Sequence, residues 1–444
     1  MNKSDIIIIG SGPGGYKAAE YAAKNGLSVV IFEREHAGGT CLNCGCIPTK
    51  TLCKNAEVID TLHEAEVYGV TNCSFDFDFT KVMGRKQQVV EALRNGVETL
   101  MSAPGITLVK AEATFKDNHT VVANGEEYYA DNIIIATGSR AKMIPIPGID
   151  LPNVVTSTEL LNVNEIPQRL VIVGAGVIGM EFASIFNSFG SQVTVVEFLK
   201  ECLPALDSDI AKRLRQTISK RGVNFSMQSG VKEITPNGVV FERKGKTETV
   251  EADLVLIATG RAANSEGLNL DAVGVKTERG AIVVDDNMKT SQDNIYAIGD
   301  VNARMMLAHA ATFQGFRAIN HILGRNDEIR LSLIPSAIFT HPEAACVGKT
   351  EDQCKAEGME YKCRKGYYRS NGKALAMNET EGLVKLLSDK DDHIIGCHAF
   401  GAHTADLIQE VSCLMACDST ISQLRDMVHT HPTLGEIIWE TSMQ

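Results

Sequence analysis

The chain has 444 residues, 44% of them hydrophobic, which is enough apolar material for about three domains with cores of their own. A formal net charge of −12 and the lack of any basic run exclude a partner held by its phosphate backbone, so no nucleic acid is expected. The 12 cysteines follow no regular spacing and a chain this long needs no disulfide staples, so mostly free thiols in a reducing cytoplasm are expected.

The N-terminus holds one short apolar run, Ile6 to Ile9, which Gly10, Gly12, Pro13 and Gly14 end before it reaches the length of a signal core or a membrane span. A soluble, unexported protein with no membrane partner is expected. The segment DIIIIGSGPGGYKAAEYAAKNGLSVVIFE predicts a buried strand, a glycine turn, a helix from about Gly14 to Asn25 and a second strand ending at Glu33, which is one βαβ unit. Directly after it comes GGTCLNCGCIPTK, which places Cys41 and Cys46 at the start of a helix, followed by Pro48 and Lys50. NIIIATGSR, from Asn132 to Arg140, is an apolar strand ending in Ala-Thr-Gly, and the proline-rich stretch from Pro145 to Pro152 reads as a linker.

Beyond that linker, RLVIVGAGVIGMEFASIFNSFGSQVTVVE repeats the βαβ pattern. Gly174, Gly176 and Gly179 stand where Gly10, Gly12 and Gly15 stood, and an acid follows the first glycine by 23 positions in both copies, Glu33 and Glu197. LVLIATGR, from Leu254 to Arg261, echoes the earlier Ala-Thr-Gly strand, with a second boundary just after Gly260. From about Leu331 neither glycine signature recurs. Strand-like runs (Gly382 to Leu387, Ile394 to Phe400) and helix-like runs (Thr404 to Cys417, Ile421 to Val428) predict a separate α+β domain there.

In such a βαβ unit the first glycine permits the tight turn, the second lets a pyrophosphate approach the backbone, and the third lets helix and strand pack closely. The helix N-terminus then meets the pyrophosphate with unpaired N–H groups and a partial positive charge. Glu33 and Glu197, ending the second strands, are placed for ribose hydroxyls, and Glu197 would repel a 2′-phosphate, so the second site favours NAD over NADP. One GxGxxG alone is a weak signal. Two copies in the same context imply two dinucleotide sites in a doubled α/β fold.

Cys41 and Cys46 are close enough to bridge, and helix-end N–H groups with Lys50 nearby would stabilise a thiolate, the species that disulfide exchange requires. Cys44 between them also permits a metal reading, although no second CxxC or close His/Cys pair supplies the remaining ligands. Inert core cysteines fit the polar surroundings of Gly, Asn, Pro and Lys poorly.

Together these segments resemble the class I pyridine nucleotide–disulfide oxidoreductases along essentially the whole chain, and among them the dihydrolipoyl dehydrogenases. GGTCLNCGCIPTK matches the redox motif, TSQDNIYAIGD (Thr290 to Asp300) the second flavin fingerprint, and HTHPTLGE (His429 to Glu436) the C-terminal signature. The resemblance implies two Rossmann-like dinucleotide-binding domains plus a C-terminal α+β dimerisation domain. FAD would bind residues 1–143 and 261–328, NAD would bind residues 144–260, and residues 329–444 would form the interface of a homodimer.

It further implies that Cys41 exchanges with substrate while Cys46 faces the flavin, that Lys50 and Glu181 form an ion pair beside the reactive flavin nitrogen, and that Asp300 bonds the ribityl chain. Met306, Leu307, Ala308 and His309 would run along the isoalloxazine ring, and Ala113, Thr137, Gly138 and Ser139 match other flavin contacts. His431 would be the acid–base catalyst and Glu436 the group orienting its imidazole, with Pro432 suited to a first helical turn. The implied reaction oxidises dihydrolipoyl groups with NAD+, serving a lipoyl-bearing protein of a 2-oxo acid dehydrogenase or glycine cleavage complex. An NAD(P)H-driven reductase of a glutathione-like disulfide and a flavin-binding thiol sensor are the other readings. Cys44 and the uncharged stretch MLAHAATFQG depart from the family pattern.

Overall fold

A computed structural model describes residues 2–444. The chain divides into two compact units, one built from residues up to Thr51, Lys81–Lys142 and Gly260–Leu331, the other from Leu52–Thr80, Met143–Thr259 and Ser332–Gln444.

The first unit is organised around β1 (Asn2–Ile9), α1 (Pro13–Lys24) and β2 (Val29–Glu33). β1 lies parallel to both β2 and strand Glu126–Ile135, inside the sheet, and Ile6, Ile7, Ile8 and Ile9 are all buried although successive side chains point to opposite faces, so both faces are covered and the strand reads as one continuous apolar run. Ile106–Lys110 extends the sheet beyond β2, and Ile295–Ala297 pairs in parallel with the end of Glu126–Ile135. Gly12 caps α1 with Pro13 in its first turn, where a missing N–H costs nothing, and Ala18, Ala19 and Ala22 form its buried face. Small residues also let α1 cross helix Ala308–Ile322 closely. A Cβ on Gly14 would stand 3.1 Å from the Ala311 carbonyl, and one on Gly315 would stand 3.1 Å from the Ala18 methyl. After β2 come the short α2 (Gly39–Cys44) and the long α3 (Cys46–His63), separated only by Gly45.

The second unit holds a parallel sheet in the order Asn224–Met227, Gln192–Glu197, Arg169–Val173, Leu254–Ile257, Val154–Val155, with helix Val177–Ser188 following its central strand. It also holds a five-stranded antiparallel sheet in the order Ser336–Ile338, Ala344–Gly348, Ile394–Phe400, Leu383–Asp389, Tyr361–Tyr367. Helices Thr404–Ala416 and Glu436–Ser442 share that sheet's apolar core through Ile408, Val411, Leu414, Ile437 and Ile438. The helix expected over Ile421 to Val428 ends at Arg425, and Val428 is fully exposed, so nothing apolar holds a further turn. The architecture is the α/β fold with an additional α+β region expected from the sequence.

Candidate active site

The two glycine loops are near-copies at atomic detail. Gly10 and Gly174 adopt φ of +105° and +107°, and a Cβ on either would fall 2.4 or 2.5 Å from a backbone carbonyl, that of Ala136 or Ala258. A Cβ on Gly15 or Gly179 would lie 1.9 or 2.1 Å from the carbonyl of Gly10 or Gly174, so helix and turn meet without room for a methyl. By contrast Gly176 has nothing within 4 Å of that position, and Gly12 has only the Gly39 Cα, at 4.0 Å. These second glycines therefore leave open space over the first N–H groups of their helices.

The two acids also play one part twice. Glu33 accepts from the Ser11 N–H at 3.1 Å and the Glu35 N–H at 2.9 Å, and Glu197 accepts from the Ala175 N–H at 2.5 Å and the Leu199 N–H at 2.7 Å. Each carboxylate ties the glycine loop to the end of the second strand. One Glu33 oxygen also accepts from the Ser11 hydroxyl at 2.6 Å, so Glu33 keeps lone-pair capacity on its other oxygen, while both Glu197 oxygens keep capacity for a further donor.

Cys41 sits in α2 and Cys46 opens α3, and their thiols are hydrogen-bonded to each other. Gly45 makes the approach possible, since a Cβ there would stand 2.9 Å from the Thr40 carbonyl and 3.3 Å from the Cys41 Cα. The Cys41 pKa is pushed up by the hydrogen bond to Cys46, then by burial and the Cys46 charge, with Lys50 pulling the other way. Asn43 holds the segment by donating to the carbonyls of Ala37 (3.0 Å) and Gly39 (2.9 Å) while accepting from Arg94 Nε at 2.8 Å.

Elsewhere in the first unit, Ser139 donates its hydroxyl to Asp300, and Arg261 reaches the Ser139 Oγ at 2.6 Å and its carbonyl at 2.7 Å, standing 3.7 Å from Asp300. Thr137 donates to the Asn264 carbonyl at 2.6 Å, Gly138 takes φ +70° beside it, and Gly260, at φ +111°, turns the chain into the strand that carries Arg261. Leu307 caps helix Ala308–Ile322, whose second residue His309 is exposed, while Met306 is half-buried just before it. Ala113 is buried at the start of strand Ala113–Asp117.

In the second unit, Glu181 is buried on helix Val177–Ser188 and accepts from the Phe339 N–H at 3.0 Å. His431 Nδ1 lies 2.9 Å from a Glu436 oxygen whose partner oxygen accepts from the Thr433 N–H at 2.8 Å. The His431 side chain is 78% exposed, so its Nε2 edge is open. Contrary to the expectation from its sequence context, Pro432 does not begin a helix. It follows a cis peptide in a bend, and the helix starts at Glu436. His429 forms a second dyad, with Nε2 2.8 Å from Glu410 and Nδ1 3.0 Å from the Met427 carbonyl.

Residues 4–315 match the pyridine nucleotide-disulphide oxidoreductase family, and residues 334–442 match that family's dimerisation domain. The chain belongs to the pyridine nucleotide-disulphide oxidoreductases. It is 39% identical to the dihydrolipoyl dehydrogenase of Bacillus subtilis (strain 168), with 99% of this chain and 97% of that relative covered. It is 35% identical to the leghemoglobin reductase of Glycine max, with 100% of this chain and 87% of that relative covered. Among solved structures, the Cu(II) complex of the HOCl-induced flavoprotein disulfide reductase RclA from Escherichia coli superposes with a TM-score of 0.89 at 32% identity, covering 100% of this chain and 99% of that one.

Members of this family are FAD- and pyridine-nucleotide-binding flavoproteins, and the residues present fit both cofactors. The spaces over Gly12 and Gly176 would admit a pyrophosphate where a side chain would block it, and Glu33 and Glu197 keep acceptor capacity at the ends of the second strands, where ribose hydroxyls would bond. Sequence reading missed three groups. Arg261 and Asn264 brace Ser139 and Thr137, and Arg94 braces Asn43. Arg261 follows the second Ala-Thr-Gly directly, a placement that could have marked it. Among the described residues no helix is long and apolar enough to cross a membrane.

Proposed function

We propose that this oxidoreductase is an NAD+-dependent dihydrolipoyl dehydrogenase acting as a homodimer on protein-bound dihydrolipoyl groups. The observation that carries the reading is the paired thiols of Cys41 and Cys46, set directly after the first dinucleotide loop with Lys50 one helical turn beyond. The relatives named dihydrolipoyl dehydrogenase support the substrate class, and the anionic Glu197 at the second loop supports NAD over NADP.

In this reading the homodimer brings His431 of one subunit to the cysteine pair of the other, and its Nε2 takes a proton from one dihydrolipoyl thiol while Glu436 holds the opposite ring edge in place. The resulting thiolate attacks the Cys41 sulfur of the Cys41–Cys46 disulfide, forming a mixed disulfide and releasing Cys46 as a thiolate. The second dihydrolipoyl thiol then displaces Cys41, closing the lipoyl disulfide and leaving two electrons on the cysteine pair. FAD, when bound, supplies the route by which those electrons reach NAD+. With FAD bound, Lys50 would supply positive charge near the flavin, and Asp300 with Ser139 would hold its chain.

The solved neighbour named a disulfide reductase supports a second reading, reduction of another disulfide by NAD(P)H. Steady-state assays on the purified flavoprotein separate the two. NAD+-dependent oxidation of dihydrolipoamide should exceed NADPH-dependent glutathione reduction, and the opposite order would sink the first reading.

A further inference from the structure

We propose that Cys44 is a third redox thiol, which exchanges into the Cys41–Cys46 disulfide to give a Cys41–Cys44 disulfide with Cys46 released. The inference rests on the reading that Cys41 and Cys46 cycle through a disulfide. Cys41 and Cys44 occupy the same helix, α2, three positions apart. That spacing brings their Cα atoms to about 5 Å, within the Cα range of a disulfide, and their side chains to one face; because Cys44 is the last residue of α2, a tightening of that final turn closes the Cβ atoms from about 5–6 Å to bridging distance. Cys46 reaches Cys41 across the close approach at Gly45. Cys41 therefore has two partners within reach and can bond only one at a time.

All three residues are half-buried, and none is locked in the apolar core. In the exchange, the Cys44 thiolate, having lost its proton to solvent, attacks the Cys41 sulfur. The Cys41–Cys44 bond forms, the Cys41–Cys46 bond breaks, and Cys46 leaves with the electron pair as a thiolate. No external oxidant or reductant is consumed. The leaving side is favourable, because Cys46 opens an 18-residue helix with Lys50 one turn on, both of which stabilise a thiolate. The product holds the same two-electron oxidation state in a form that substrate cannot pass to Cys46. Attack of the Cys46 thiolate on Cys41 reverses it.

The test uses the full-length flavoprotein with variants C46S, C44S and C44S/C46S, each treated with diamide, alkylated with iodoacetamide under denaturing conditions and digested with trypsin. Cleavage after Arg34 and Lys50 leaves all three positions in one peptide. C46S should lose both alkylations and two hydrogens from this peptide, within one chain, while the double variant keeps its single alkylation. Full alkylation of Cys41 and Cys44 in C46S, or closure only between two chains, would overturn the proposal, provided that C44S closes Cys41 to Cys46 under the same treatment. If C44S also stays open, the Cys41–Cys46 reading fails instead.

Discussion

The carboxylate of Glu436, the first residue of helix Glu436–Ser442, stands 2.9 Å from Nδ1 of His431, five residues earlier in the bend that leads into that helix. The carboxylate is pinned on its other side by the Thr433 N–H, and that N–H, together with His431, holds its pKa below the usual range. It therefore stays ionised at neutral pH and fixes which imidazole nitrogen carries the proton. H431Q should lower dihydrolipoamide turnover by about a hundredfold or more, and E436Q by about tenfold. The pH profile of kcat should shift in E436Q. Unchanged kcat and profile in both variants would remove the dyad from the mechanism.

The second glycine loop offers a contrast between binding and folding. Alanine at Gly176 meets no protein atom within 4 Å and finds an ordinary φ of −75°, whereas a Cβ at Gly179 lies 2.1 Å from the Gly174 carbonyl. G176A should keep the thermal midpoint of the wild type while weakening NAD+ binding by roughly tenfold, because the methyl fills the space over the helix N-terminus. G179A should instead lose about 3 kcal/mol of stability. Calorimetry beside nucleotide titration separates the two effects, and equal behaviour of the pair would contradict this division of roles.

How far the sequence carried depended on how local each feature is. The glycine loops, their acids and the cysteine pair were legible because turn, close approach and bridge all lie within about thirty residues of chain. The bracing groups were not. Arg261 meets Ser139 across 122 positions, Ser139 meets Asp300 across 161, and Arg94 meets Asn43 across 51, and no periodicity encodes such pairings. The bend at Pro432 is not legible in the sequence, because proline suits a first helical turn as well as a bend and only the surrounding fold chooses.

Lys385 gives a prediction about stability rather than turnover. Its ammonium is buried, 2.5 Å from Asp207 and 2.6 Å from Glu351, and Asp207 is itself only 1% exposed. K385M would strand the Asp207 carboxylate in the interior with only backbone N–H partners, those of Asp209 and Glu351. The expected loss is about 3–5 kcal/mol in urea denaturation. Adding D207N, which removes the charge but can still accept from Asp209, should recover part of that loss. A double variant as unstable as the sum of the single changes would show that the two groups do not act as a pair.

His341 makes stability fall at alkaline pH. Its Nδ1 lies 3.0 Å from Asp60 and its Nε2 3.5 Å from Glu379, and Asp60 also accepts from Arg221 at 2.7 Å and Ser188 at 2.9 Å. Burial alone would lower the His341 pKa and Arg221 opposes its charge, but the two carboxylates outweigh both and raise it from an ordinary 6.5 to about 9. Because the folded value lies above the unfolded one, the stabilisation is complete below about pH 6.5 and drains away as pH climbs through about 9. Asp60 is shifted down, so its share is present above its ordinary 3.8 and is lost only in acid. Denaturation of the wild type should show a loss of about 2 kcal/mol between about pH 6 and about pH 10 that H341Q, already weaker at pH 6, lacks. Parallel curves for the two proteins across that window would mean that the cluster does not hold its proton on His341.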